Sequence, residues 1–153
     1  MPRIFIGHEK DLDAFIWNID SNVGLRSPNK KVDVELVQFG YFCYSLNPTN
    51  TPELNRIYAA VTPGAVYSGA ADDPLTLAII AHEKERGGAQ DNHVSPIHGT
   101  SDRYKFKDGP HSFMLAALVN NMRDVMKSDF PRIDKHPKCP AQLKNSVKAA
   151  FDF

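Results

Sequence analysis

The stretch DDPLTLAIIAHEKERGG, residues 72–88, decides how this chain is read. Asp73 followed by Pro74 is a helix start: the carboxylate accepts amide hydrogens of the first turn, and proline suits a position whose N–H has no intrahelical partner. Leu75, Ala78, Ile79 and His82 recur at three- and four-residue spacing and share one face, while Glu83, Lys84 and Arg86 fall largely off it as solvated charges. Gly87 and Gly88 stop the helix, because glycine reaches the left-handed conformation without a Cβ clash. The result is a short amphipathic helix that needs partners for its apolar face.

Those partners are sought on either side. VDVELVQFGYFCYSL, residues 32–46, reads as a helix with Asp33 near its start and Val34, Val37, Tyr41 and Tyr44 on one face. Gly40 weakens it by about 1 kcal/mol relative to alanine, and strand competes because β-branched and aromatic residues are common here. The clearest helix follows Gly109-Pro110, with Met114, Leu115, Leu118, Val119, Met122, Val125 and Met126 as a core-facing stripe. Asn47-Pro48-Thr49-Asn50-Thr51-Pro52 is a breaker cluster that opens a long connection through to Gly69. Near the N-terminus, RIFI and AFIWNI are strand-like pieces around a polar spacer, helix being the near competitor for the second. After Ser128, three prolines precede AQLKNSVKAAF, a weak terminal helix with Leu143, Val147 and Phe151 on one side.

Bulk properties bound the function. A chain of 153 residues suits one domain with extra segments and can hold a real core. Lys+Arg and Asp+Glu both total 18, so the net charge is zero. Broad electrostatic binding to nucleic acid or to a membrane is not expected. Cys43 and Cys139 share no metal-ligand spacing, and buried reduced thiols are favoured over a disulfide. The first residues form neither a secretory signal nor a spanning segment, so a cytoplasmic origin is expected.

Catalytic signals are weak. His93, His98 and His111 lie near Asp91 and Asp102, but the short fixed spacings of zinc sites are absent. HEKER begins like HExxH but ends in Arg86, which cannot ligate zinc. Glu83 and Glu85, two apart on a helix, cannot face one substrate together. No metal, no cofactor and no enzymatic activity are expected. The aromatic set Tyr41, Tyr44, Tyr58 and Tyr67, with Arg56, is the best ligand surface among the side chains, its alternative being packing beneath the long connection.

Four segments together resemble a family, the peptidoglycan-binding-like domain, a small three-helix wall-targeting module of bacterial and phage lytic proteins. They are Val23-Gly24 with Asn29; Asp33-Val34-Glu35-Leu36-Val37-Gln38; Ala78-Ile79 through Arg86-Gly87; and Asp91-Asn92-His93-Val94-Ser95-Pro96. Where the family has an aromatic-glutamine pair this chain has His82-Glu83, and the turn Gly64 to Gly69 lacks the family's aspartate. The resemblance implies a mainly α fold: an N-terminal extension over residues 1–22, a helical domain over 23–127 with a long inter-helix insertion, and a C-terminal arm over 128–153. It implies a non-catalytic binding module for peptidoglycan glycan or stem peptide, in a groove near this turn and the adjoining helices. Arg56, Tyr58, Tyr67, His82 and Glu83 are the candidate ligand-binding residues. The alternative is a structural protein of a phage particle or injection apparatus that uses the scaffold, insertion and arm to bind copies of itself or other proteins.

Overall fold

A computed structural model describes residues 3–9, 12–88, 90–97 and 114–152, with side chains described from Ile16 onward. The chain is mainly α-helical, with five helices among the described residues: α1 Lys31–Ser45, α2 Pro52–Ala59, α3 Pro74–Arg86, α4 Met114–Met126 and α5 Ala141–Phe151. Strands β1 (Arg3–Glu9) and β2 (Leu12–Asn18) form an antiparallel hairpin, Arg3 opposite Asn18 and Glu9 opposite Leu12. The ladder therefore takes in residues of the polar spacer, since backbone pairing does not require apolar side chains. A second, very short pair joins β3 (Val23–Gly24) to β4 (His93–Val94). No helix among the described residues is long and apolar enough to cross a membrane.

The central element is α1. It packs against α2, α4, α5 and β3, so the face expected from its apolar residues is too narrow: every residue from Asp33 to Tyr41 is buried. Three of these are polar, and each fixes a distant backbone segment. Asp33 accepts from the amides of Asp20 and Ser21, both at 3.1 Å. Glu35 accepts from the Leu143 amide at 2.7 Å, in the first turn of α5. Gln38 accepts from the Gly64 amide at 3.0 Å and donates to the Ala65 carbonyl at 2.9 Å. Buried polar groups are costly unless bonded, and here the bonds pin loops onto the core helix.

Gly40 marks the crossing of α1 and α4. A Cβ built there would lie 2.9 Å from Leu118 Cβ and 3.1 Å from Met122 Cε, so glycine is what lets the two helices approach. Of the expected stripe of α4, Leu115, Leu118, Val119, Met122 and Met126 are buried, and Met114 and Val125 are partly buried against the core. The proposed start at Gly109-Pro110 lies outside the described residues.

The long connection is corrected by α2. Thr51 Oγ1 accepts from the Leu54 amide at 3.2 Å, with Pro52 at the first helical position. This is the start signal already seen at Asp73-Pro74, obscured by the neighbouring Asn47 to Asn50 turn. Both chain ends join the same core, to which Ile16, Trp17 and Ile19 contribute from one side and Ile133, Cys139, Leu143 and Val147 from the other. Trp17 donates to the Pro131 carbonyl at 2.8 Å and meets Phe151 edge-on at 6.0 Å. His136 meets both Phe39 and Phe42 edge-on. Cys43 and Cys139 are both buried free thiols.

Candidate functional site

The helix α3 keeps the punctuation its sequence set. Asp73 Oδ1 accepts from the Leu75 amide at 2.9 Å, and Gly87 closes the helix at φ 71°. Asp73 Oδ2 also takes the Ser68 amide and hydroxyl, so the cap ties the preceding loop to the helix. Leu75, Ala78, Ile79 and His82 are all buried, as their spacing requires.

His82 lies inside a cluster of rings. Its Nδ1 is 3.1 Å from Tyr41 Oη, and its ring is 4.8 Å from that of Tyr44 and 6.2 Å from that of Tyr58. Tyr41 and Tyr58 stack at 5.6 Å. The Tyr58 hydroxyl donates to Glu85 Oε2 at 2.9 Å. Burial pushes the Tyr41 phenol well above its ordinary value and that of Tyr44 up to about 12, and burial followed by the Glu85 contact drives Tyr58 upward too. These phenols stay protonated at neutral pH and act as packing groups and donors. The side chains of Tyr58 and His82 are fully buried in the core.

Glu83 departs from its expected place among solvated charges. It is 2% exposed, and its Oε2 accepts from the Asn92 amide at 3.2 Å. It turns inward because the chain after α3 folds back over it. Burial raises its carboxyl above the ordinary value, partly opposed by the Asn92 amide and reinforced by the adjacent Asp91. Asp91 in turn lies 3.3 Å from His93 Nε2. Glu85 points the other way, to Tyr58. His82 thus packs as a ring among rings, and Glu83 offers an oxygen to a backbone amide as a glutamine would.

The remaining expected residues lie elsewhere. Arg56 is exposed on α2. Tyr67 is half-buried, and its hydroxyl lies 2.7 Å from Thr76 Oγ1. Because Thr76 gives its own proton to the Ala70 carbonyl, Tyr67 is the donor in that pair. Arg56, Tyr58, Tyr67, His82 and Glu83 do not converge on one surface.

Two hollows are open instead. A groove of about 270 Å³ runs between the start of α1 and the 64–67 loop, lined by Asn29, Lys31, Val34, Glu35, Val66 and Tyr67 among others. Val66 is 93% exposed at its rim. A cavity of about 420 Å³ lies between the 22–26 turn and the 91–93 turn. Of the expected residues only Tyr67 lines either hollow. No sequence signal marked Lys31, Val66 or Arg26, whereas Gln38 was visible within the DVELVQ segment.

No protein-family model, curated protein or solved structure matches this chain. Among the described residues no group of three or more His, Cys, Asp or Glu side chains is arranged to hold a metal ion; His98, Asp102 and His111 lie outside them. The groove presents the Tyr67 ring, the exposed aliphatic side chain of Val66 and Lys31, while the Glu35 carboxylate that also lines it is buried and already accepts from the Leu143 amide.

Proposed function

We propose that this chain is a non-catalytic binding module that takes cell-wall material, the glycan or stem peptide of peptidoglycan, in the groove between α1 and the 64–67 loop. The observation that carries the reading is the set of clamps made by the residues behind the resemblance. Asn29 accepts from the Gly24 amide at 2.8 Å and donates to its carbonyl at 2.9 Å. Gln38 grips Gly64 and Ala65, and Glu83 grips Asn92. Gln38 holds the 64–65 loop against α1 and Asn29 fixes the lead-in to that helix, which leaves the groove wall preorganised and limits the ordering cost of binding, while Glu83 holds the 91–93 turn against α3. Val66 and the Tyr67 ring supply apolar area against a sugar face, and Lys31 supplies a cation for a peptide carboxylate.

Retention on purified sacculi tests this. The chain is expected to sediment with them, and Val66→Asp, which alters a fully solvated side chain, is expected to abolish retention, with Tyr67→Ala weakening it. No retention above an unrelated control protein overturns the proposal. The alternative, assembly with proteins of a phage particle or injection apparatus, predicts an oligomer or partner complex in light scattering that Val66→Asp dissolves. The C-terminal arm is a poorer candidate for that contact, because Leu143 and Val147 are buried in the chain's own core.

A further inference from the structure

The second hollow shares no residue with the groove and is built from two turns locked to one another. Val23 pairs with Val94 and Gly24 with His93, and the Leu25 amide donates to the Asn92 carbonyl at 3.0 Å. Gly24 sits at φ 139°, where a Cβ would come within 2.3 Å of the Asn92 oxygen. Only glycine permits that approach. Arg26 and Asn92 adopt left-handed backbone, at φ 53° and 64°. The walls are therefore fixed before any ligand arrives. The volume, about 420 Å³, lies in the usual range for small-molecule sites.

The two walls carry opposite charge. Arg26, from the first turn, is exposed, and its guanidinium has no hydrogen bond or ion pair among the described residues. From the second turn comes Asp91, whose carboxylate is 49% exposed and shared with His93 Nε2 at 3.3 Å. Asn22 adds an amide that both donates and accepts. A ligand of one charge would meet attraction at one wall and repulsion at the other. A molecule bearing both charges is complementary to both.

We infer that this cavity binds a small zwitterion, an amino acid or short free peptide, with its carboxylate on Arg26 and its ammonium on Asp91. The inference is independent of the groove, so either proposal can fail alone. An NMR titration of the full chain with glycylglycine, N-acetylglycylglycine and glycylglycinamide tests it. Glycylglycine is expected to move the amide signals of Asn22, Leu25, Asn92 and His93 saturably. Each blocked form is expected to bind about tenfold more weakly, the loss of one charge-assisted hydrogen bond. Arg26→Gln should erase the preference over glycylglycinamide, and Asp91→Asn the preference over the acetylated form. Asp91→Asn is isosteric and Arg26→Gln shortens an exposed side chain, and an unchanged amide spectrum away from the site verifies the fold of both. Absence of a saturable shift at millimolar dipeptide overturns the inference. So does equal binding of all three ligands, preference for only one charged end, or a preference that survives these substitutions.

Discussion

Gly40→Ala separates local helix preference from tertiary packing. By propensity alone, alanine inside α1 should stabilise the chain by about 1 kcal/mol. The α1–α4 crossing reverses the sign. The new Cβ would stand 2.9 Å from Leu118 Cβ, about half an ångström inside ordinary van der Waals contact, with Met122 Cε at 3.1 Å. The methionine end can swing aside, but Leu118 Cβ is fixed to the α4 backbone, so the whole helix must retreat. Inserting a methyl group into a well-packed core costs about 1–3 kcal/mol. In this case the upper half applies, because α1 is buried on every side along this stretch. The net expectation is destabilisation by about 1 kcal/mol, read in urea as a lower midpoint at unchanged slope and in heating as a fall of about 2–4 °C. Gly88→Ala is the control. Nothing lies within 4 Å of a Cβ there, and the change should be neutral or stabilising by less than about 1 kcal/mol. A higher melting temperature for Gly40→Ala would refute the close crossing.

Two further outcomes follow from titratable groups. Burial raises the Glu83 carboxyl above its ordinary value of 4.5, so between those values the folded chain holds a proton that the unfolded chain has released. The stability Glu83 contributes is complete below about pH 4.5 and is lost as pH rises through the raised value. Glu83→Gln, which keeps an acceptor for the Asn92 amide, should gain most over the parent at neutral pH and lose that gain in acid; a gain that is constant or grows in acid contradicts the burial described. Burial also pushes the Cys43 and Cys139 thiols up to about 12. Iodoacetamide at mildly alkaline pH should leave the folded chain unmodified and add two labels in denaturant without reductant, and rapid labelling of either cysteine in the folded chain would show that its burial is wrong.

The sequence by itself determined the features that depend on one turn of chain. Asp73, Pro74 and Gly87 bound α3, and AQLKNSVKAAF delimits α5, because caps and breakers act on amides a few residues away. The same grammar was present at Thr51-Pro52, where it was masked by the turn formers before it. Tertiary structure alone decided what surrounds each helix. Glu83 looks like any surface carboxylate until the 91–93 turn covers it. Buried Glu35 is intelligible only through Leu143, and Asn18 only through Ile97, which lie 108 and 79 residues away. The groove and the zwitterion cavity belong to this second kind. Their walls come from segments whose only relation is contact in space, and a local pattern carries no information about which distant backbone will arrive to accept or donate a hydrogen bond.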